Sequence, residues 1–297
     1  MKTCPVCDAQ DIQLFMTGIF DSDTTKVMEC ARCGMQFLDP LMTEQEEVEY
    51  YEGYYRKQHA RHFKAMDLAD LQQRAYEHYE QHRAIYLELI SGCRTILEIG
   101  SGTGGFLKFV RQYSPGTRLV AIERCSENVD FIKQCFGRQV DVFDSLGEAQ
   151  GTQFDCICAF GVFEHVRDSR GFLANLRGFL SDKGCLALNV PNKAHVLVYS
   201  YNLEEFKKFT YMKQHYFTFT EQAFNLLAGQ TGLRVKKFNC MQVWGLDNHL
   251  SWLRYQKPRD FSDITSLLSR QTLASYSDDL IEKKMTDLMM AVLCVCD

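Results

Sequence analysis

The sequence predicts an α/β protein whose parallel sheet is covered by helices on both faces, preceded by a small module held by a metal ion. Two observations lead to this fold class. Strand-like and helix-like segments alternate from residue 95 onward, as they do in βαβ units. Two Cys-x-x-Cys pairs precede them, with 22 residues between the pairs. A chain of 297 residues can form one large core and a small satellite.

The metal-held module is expected over residues 1–40. Its four cysteines are Cys4, Cys7, Cys30 and Cys33. Each pair can bind one side of a tetrahedral zinc ion, with short strands at residues 28–30 and 35–38 and a positive φ at Gly34. Unrelated free thiols and a redox-active dithiol are the alternatives, although a thioredoxin-like dithiol normally belongs to a βαβ unit. Because four cysteines leave no open coordination position, the zinc would be structural.

The rest of the chain is expected to form two further parts. Residues 41–92 are interpreted as a helical linker and a lid over substrate and cofactor, with tyrosines at 50, 51, 54 and 55 and one long helix at 67–90. Residues 93–297 form the α/β domain, with an insertion near 242–287. Its expected strands are residues 95–99, 118–123, 140–143, 154–160, 185–190, 234–241 and 288–296, and its expected helices are residues 105–113, 127–136, 169–180 and 221–229.

Composition limits the partners of the protein. The chain has 33 basic and 38 acidic residues and a formal net charge of -5, whereas a chain that binds nucleic acid usually has a basic surplus. It has no apolar stretch long enough to span a bilayer and no secretion signal. Thirteen cysteines in such a chain favour a reducing compartment. We therefore expect a soluble, cytoplasmic protein with no nucleic-acid or membrane partner.

A glycine loop follows the first predicted strand of the α/β domain and opens a helix. Its residues are Gly100, Ser101, Gly102, Thr103 and Gly104. Such a loop lets the backbone approach a ligand closely. Gly105 also makes it fit the dinucleotide fingerprint, so the loop alone leaves NAD as an alternative. Glu98 separates the two, because a carboxylate there would repel a pyrophosphate and favour the amino group and sulfonium of S-adenosylmethionine.

Further candidate cofactor residues stand where predicted strands end. Glu123 can accept hydrogen bonds from two ribose hydroxyls, and Asp144, with Ser145 beside it, could meet the adenine amine. Phe160 and Gly161 end the fourth strand at the crevice where open α/β sheets bind ligands. A helix cap or a solvated charge is the alternative for Asp144.

These motifs resemble class I S-adenosylmethionine-dependent methyltransferases over residues 96–235. The matching stretches are residues 96–104, 121–123, 154–166 and 186–192. The resemblance implies a Rossmann-like seven-stranded sheet with an antiparallel last strand, in-line methyl transfer, and S-adenosylhomocysteine as product. A zinc ribbon before this domain is similar to bacterial sugar methyltransferases, and residues 247–253 resemble enzymes of surface-glycan biosynthesis.

Three residues are candidates for chemistry on the acceptor. His165 follows the fourth strand near the expected sulfonium and has a usual pKa near neutrality, so it is the predicted general base. Glu164 could orient it or contact the acceptor, and His215 could face the substrate. The alternatives are that Glu164 and His165 only hold their loop and that His215 begins the next helix. Related quinone-type O-methyltransferases hold a metal through an acidic residue three before such a Glu-His pair, and Gly161 in that place argues against a catalytic metal.

The expected function is methyl transfer to a small molecule, with a sugar or nucleotide-sugar intermediate of glycan or secondary-metabolite biosynthesis as the favoured acceptor. An RNA methyltransferase and a non-catalytic cofactor-binding module are the alternatives. Residues 160–163 read Phe-Gly-Val-Phe where amino-directed nucleic-acid enzymes typically carry an Asn/Asp-Pro-Pro-aromatic element. Four lysines could attract a diphosphate or could form a solvated basic face: Lys193, Lys207, Lys208 and Lys213. The oligomeric state is not predicted.

Overall fold

A computed structural model describes residues 3–50, 67–257 and 266–296. The strands, numbered along the chain, are β1 (Ile12–Ile19), β2 (Ser22–Cys30), β3 (Gln36–Asp39), β4 (Thr95–Ile99), β5 (Arg118–Ile122), β6 (Val140–Phe143), β7 (Phe154–Phe160), β8 (Leu180–Pro191), β9 (Phe217–Thr218), β10 (Leu233–Met241) and β11 (Leu288–Val295). The helices are α1 (Glu44–Glu49), α2 (Leu68–Gln81), α3 (Arg83–Ile90), α4 (Gly105–Tyr113), α5 (Ser126–Phe136), α6 (Ser169–Arg177), α7 (Val196–Tyr199), α8 (Glu204–Thr210), α9 (Glu221–Gln230), α10 (Leu246–Tyr255) and α11 (Arg270–Glu282).

Seven strands form the larger sheet, in the order β10-β11-β8-β7-β4-β5-β6. The central strands β4 to β8 run parallel, and β11 pairs antiparallel with both β10 and β8. Hydrophobic clusters cover both faces of this sheet, which explains why a strand such as β7 is a continuous apolar run rather than an alternating one. The prediction of an α/β fold with a seven-stranded sheet and an antiparallel last strand is confirmed.

The structure corrects two predicted helices. The single helix expected at residues 67–90 is two helices, α2 and α3, which meet at His82 with φ -108° and ψ 28°. The break lets α2 pack on α4, where Gly105 is so close to Ala75 that a side chain on Gly105 would meet it at 2.4 Å. The helix expected at residues 169–180 ends at Arg177, and β8 already begins at Leu180.

The smaller sheet has the order β1-β2-β3-β9. Its last strand, β9, comes from a distant part of the chain, and Phe37 of β3 lies opposite Phe217. The four N-terminal cysteines share one hydrophobic cluster with Phe37, Phe217, Phe163 and Phe219. The N-terminal module therefore shares a hydrophobic core with the α/β domain, and the division at residues 1–40, 41–92 and 93–297 stays a prediction.

Residues 51–66 lie outside the described residues, so the structure describes only Tyr50 of the four tyrosines at positions 50, 51, 54 and 55. Within residues 3–50, 67–257 and 266–296, no helix is both long and apolar enough to cross a bilayer.

Candidate active site

The glycine loop lies at the carboxyl edge of the larger sheet, between β4 and α4. Gly100, Gly102 and Gly104 have φ values of 69°, 53° and 80°, a conformation that L side chains rarely adopt. The amide of Gly100 donates to the carbonyl of Ile122 at 2.8 Å, which ties the loop to β5. At Gly102 no described atom lies within 4 Å of where a Cβ would be. The loop thus leaves open space beside exposed backbone, as a bound ligand requires.

Glu123 follows β5 and is held in one orientation by the backbone. Its Oε2 accepts the Gly102 amide at 2.7 Å and its Oε1 accepts the Cys125 amide at 2.8 Å. A carboxylate oxygen can accept more than one hydrogen bond, so these contacts leave room for ribose hydroxyls. Glu123 therefore also stabilises the loop, a role that the sequence did not reveal.

Four buried polar atoms at this edge have no hydrogen-bond partner among the residues that the structure describes: Glu98 Oε2, Ser101 Oγ, Glu164 Oε2 and Asn189 Oδ1. An unpartnered buried polar atom is costly, so such atoms commonly mark a place that a ligand or water fills. They come from the ends of β4, β7 and β8 and the loops that follow, which meet where open α/β sheets bind ligands. Asn189 is a member of this group that sequence reasoning missed, although a polar residue within the apolar strand β8 was a signal.

Burial governs the charge of Glu98, which is 3% exposed. Burial, assisted by the neighbouring charge of Glu123, raises the pKa of Glu98 well above its usual range. The carboxyl is therefore protonated when the site holds no cation. The sequence-based interpretation treated it as a fixed negative charge, whereas the structure makes its charge depend on what binds.

The other candidate cofactor residues differ in their placement. Asp144 and Ser145 are exposed after β6. The ring of Phe160 packs against Tyr86 and Phe106, with centroid distances of 5.6 Å and 5.1 Å. Gly161 has φ 65° and its amide donates to the carbonyl of Asn189 at 3.0 Å. The roles of these residues at a cofactor stay predictions.

Glu164, His165 and His215 come together in the structure. The rings of the two histidines lie 5.0 Å apart between centroids, and the possible ligand atoms of all three residues lie within 4.8 Å of one another. His165 Nδ1 lies 2.8 Å from the carbonyl oxygen of Gln214. Because a carbonyl only accepts, this bond places a hydrogen on Nδ1, and the backbone of Gly161 is a second hydrogen-bond partner of the ring. Gln214 is a second contributor that the sequence did not reveal.

All three groups are neutral at pH 7 in the ligand-free protein. Burial lowers the pKa of His165 to about 4 and that of His215 to about 3, and the adjacent His165 adds to the effect on His215. Burial raises the pKa of Glu164 to about 8. Perturbed groups of this kind in a cleft are typical of sites that handle protons. With His215 as a third donor the group is also close enough to hold a cation, so the metal-free site expected from Gly161 stays a prediction.

A second histidine cluster surrounds Asp287, just before β11. Asp287 Oδ1 lies 2.8 Å from His195 Nε2, and Oδ2 accepts the amides of Val243 and Trp244, each at 2.7 Å. The Leu197 amide donates to His195 Nδ1 at 3.1 Å. That bond places the His195 hydrogen on Nε2, where it is donated to Asp287, so His195 is poorly suited to bind a metal. The cluster is a hub that joins the chain after β8 and β10 to the start of β11.

Three of the four candidate phosphate-binding lysines are engaged by carboxylates. Lys193 Nζ lies 2.8 Å from Glu29, and Lys207 Nζ lies 2.7 Å from Glu204. Lys208 lies 4.0 Å from Glu205. These ion pairs favour the alternative of a basic face over a diphosphate site.

The four N-terminal cysteines are buried and converge. Cys4 and Cys33 sulfurs are 3.6 Å apart, Cys7 and Cys30 sulfurs are 3.5 Å apart, and all four lie within 4.8 Å of one another. A tetrahedral zinc with Zn–S bonds of about 2.3 Å would hold sulfurs about 3.8 Å apart. The donor set therefore fits zinc in both chemistry and spacing.

A family model described as a methyltransferase domain matches residues 58–237, more than half of the chain. The chain belongs to the methyltransferase domain family, a family of enzymes, and its fold is similar to that of a solved S-adenosylmethionine-dependent methyltransferase. No curated protein matches the sequence.

Several solved structures share this fold. Mitomycin 7-O-methyltransferase MmcR is similar with a TM-score of 0.53 at 13% identity, covering 86% of this chain and 61% of that one. The plantazolicin methyltransferase BpumL in complex with SAH has a TM-score of 0.52 at 13% identity, covering 84% and 93%. A SAM-dependent methyltransferase from Archaeoglobus fulgidus has a TM-score of 0.51 at 14% identity, covering 81% and 99%. This chain thus spans less than two thirds of the length of MmcR.

Proposed function

We propose that the protein transfers the methyl group of S-adenosylmethionine to a hydroxyl or amino group of a small molecule, with a sugar or nucleotide sugar as the favoured acceptor. One observation carries the proposal. The glycine loop with Glu98 and Glu123 stands at the same sheet edge as a neutral carboxyl and two neutral imidazoles. The edge thus combines a place for a cofactor with groups that can accept a proton.

The cofactor half of the sheet edge comprises the glycine loop, Glu98, Glu123 and Asp144. S-adenosylmethionine would bind there to residues that are already held in place. The backbone of the loop and Glu123 would receive the ribose, and Asp144 would meet the adenine amine. Glu98 would ionise when the cationic amino group and sulfonium enter, because a nearby positive charge favours the carboxylate. When bound, the cofactor supplies an electrophilic methyl group. Binding should therefore release close to one proton from Glu98 near neutral pH.

The acceptor half comprises Glu164, His165 and His215. It would position and deprotonate the acceptor. His165 is buried beside Glu164 and His215 and would take the proton that the acceptor loses. Glu164 is protonated at neutral pH and could donate a hydrogen bond to an acceptor oxygen. His215 lies beside His165, whose nearness, together with burial, lowers the pKa of His215 to about 3.

The proposals of a sugar acceptor and of a bound zinc ion are each supported by fewer observations. The four-cysteine module before the catalytic domain, together with residues 247–253, is similar to sugar and surface-glycan methyltransferases. Two solved structures with this fold are named for mitomycin and plantazolicin, which supports a small-molecule or peptide acceptor more broadly. Zinc is supported by the convergence of four sulfurs.

The test is a screen of the zinc-loaded protein with radiolabelled S-adenosylmethionine against hexoses, nucleotide sugars, phenols and transfer RNA. We expect label in a sugar or nucleotide-sugar product and S-adenosylhomocysteine in equal amount. Label in RNA alone would refute the acceptor class. S-adenosylhomocysteine binding without transfer to any acceptor tested would favour a non-catalytic module.

A further inference from the structure

The N-terminal module is bonded to the chain segment that builds the acceptor half. We call residues 211–218 the acceptor segment. At its start, the Phe20 amide donates to the carbonyl of Tyr211 at 2.9 Å. Two residues later, the Lys213 amide donates to Asp21 Oδ1 at 3.0 Å. The turn between β1 and β2 therefore fixes one end of this segment.

β3 fixes the other end of the acceptor segment. The Leu38 amide donates to the carbonyl of Tyr216 at 3.0 Å, and β3 then pairs antiparallel with β9. Gln214 and His215 lie between the two bonded ends. The carbonyl of Gln214 is the group that sets the hydrogen of His165 on Nδ1. The position of the candidate base thus depends on backbone that the module holds from both sides.

The cluster of Cys4, Cys7, Cys30 and Cys33, which we call the cysteine knuckle, also contacts the chain just beyond the acceptor segment. The carbonyl of Cys33 accepts the Thr220 hydroxyl at 2.7 Å, and the same hydroxyl oxygen caps α9 by accepting the Ala223 amide at 3.0 Å. Next to it, Phe219 stacks on Phe163 with centroids 4.7 Å apart. Phe163 immediately precedes Glu164. Packing therefore connects the knuckle to the second catalytic candidate as well.

The cofactor half is held by different contacts. The loop is bonded to Glu123 and to Ile122 of β5, and Gln72 of α2 donates to the carbonyl of Thr103 at 2.8 Å. These contacts lie within the larger sheet and its helices. The two halves of the site therefore have separate supports.

We propose that the four-cysteine module is a positioning element of the methyl-transfer site, which holds Gln214 and His215 in register with His165 while leaving the cofactor half independent. The proposal rests on the zinc and acceptor assignments made above. It assigns no chemistry to the metal. Zinc would act only by keeping the knuckle closed, since a structural site contributes folding energy to the segment that it organises.

The test uses the full chain without an acceptor, so that it does not depend on turnover. Cys7→Ser opens the knuckle, and Cys135→Ser, at an exposed cysteine of α5, is the matched control. Three quantities are measured for each protein: bound zinc by elemental analysis, S-adenosylhomocysteine affinity by calorimetry, and the tautomer of His165 by long-range ¹H–¹⁵N NMR. Wild type and control should show one zinc and a single Nδ1–H tautomer of His165.

For Cys7→Ser we expect zinc to be lost and His165 to exchange between both tautomers, while the Kd for S-adenosylhomocysteine stays within about twofold, because the supports of the cofactor half are intact. An unchanged tautomer in a folded, zinc-free variant would overturn the proposal. So would a loss of S-adenosylhomocysteine affinity in a Cys7→Ser variant whose larger sheet remains folded.

A second variant tests the contact between the N-terminal module and the acceptor segment without changing a cysteine. Gln36 is fully buried, donates to Glu29 and Tyr199 at 2.7 Å and 2.8 Å, and accepts from Tyr211 at 2.5 Å. Gln36→Leu should keep zinc and cofactor affinity but release the His165 tautomer, whereas Gln45→Leu, on the exposed face of α1, should change none of the three quantities. A wild-type tautomer in Gln36→Leu would contradict the proposal even if Cys7→Ser does not fold.

The failures of the two proposals are distinguishable. A chain that never transfers a methyl group would refute the proposed function, and a chain that binds no zinc would refute the zinc assignment, whereas the Gln36→Leu result reports on positioning in either case. Glu123→Ala supplies the converse check, since it should lose cofactor affinity and leave the His165 tautomer and the zinc content unchanged.

Discussion

The cofactor half and the acceptor half of the sheet edge are built in different ways. The cofactor half uses one short loop and the ends of β4, β5 and β6, three strands that follow one another in the chain and lie side by side in the sheet. The acceptor half brings Glu164 and His165 against a segment nearly fifty residues later, held by a module at the other end of the chain. The first half is set by local backbone geometry and the second by tertiary packing.

His165→Ala is the largest expected effect and tests whether the acceptor half carries the chemistry. Removing a general base typically costs about 10²- to 10⁴-fold in rate. We expect kcat for the acceptor found in the screen to fall within that range, while S-adenosylhomocysteine affinity in calorimetry stays within about twofold. An undiminished kcat across pH 6 to 9 would assign His165 to structure alone.

Glu123→Ala tests the other half. The carboxylate would bind ribose and also holds the Gly102 and Cys125 amides, and hydrogen bonds to a charged group are worth about 1.5–3 kcal/mol. Affinity for S-adenosylhomocysteine should therefore fall about 10- to 100-fold by calorimetry. Glu127→Ala, in the exposed first turn of α5, is the matched control and should bind normally. Equal affinity in the two variants would remove Glu123 from the cofactor site.

Glu164→Gln tests the burial of the acceptor half through the pH dependence of the free energy of unfolding. The folded pKa of Glu164, about 8, exceeds its usual value of 4.5, so the native state binds more protons than the unfolded state between these values. The free energy of unfolding therefore falls as pH rises through that window, by up to about 4 kcal/mol between pH 5 and 8. Urea unfolding should show this slope in the wild type and a shallower one in the variant. Parallel pH profiles would mean that Glu164 ionises normally.

Gly100→Ala is expected to have a smaller effect, and it tests the local geometry of the cofactor half. Gly100 has φ 69°, and a Cβ there would meet a Val162 methyl at 2.7 Å. We expect the variant to lose about 1–3 kcal/mol of stability by urea unfolding. Gly116→Ala, where nothing lies within 4 Å of an added Cβ and φ is not positive, should be within about 0.5 kcal/mol of wild type. Equal stability of both variants would contradict the conformation of the loop.

The same contrast explains what the sequence could predict. The alternation of strands and helices gave the α/β class and the seven strands, because each strand and each helix leaves its own periodic pattern. The glycine loop, Glu98 and Glu123 could be found because they lie within or directly after predicted strands. The long helix at residues 67–90 was wrong because nothing local marks His82 as a break, and only the packing of α2 on α4 requires it.

The acceptor half could be predicted only in part. His165 and Glu164 were proposed because they follow β7, and their roles stay predictions, whereas the contribution of Gln214 is a backbone carbonyl that leaves no side-chain pattern. The hub at Asp287 was missed because its partners come from two segments that are distant from it in the chain. The pairing of β3 with β9 could not be predicted either, because a two-residue strand leaves no periodic pattern in the sequence.

The most direct measurement of the central claim is calorimetric titration of the full, zinc-loaded chain with S-adenosylhomocysteine and, separately, with NAD. The account predicts one bound S-adenosylhomocysteine per chain and no measurable heat with NAD, because the acidic side chains of Glu98 and Glu123 disfavour a pyrophosphate. Stoichiometric binding of NAD, with no binding of S-adenosylhomocysteine, would contradict it.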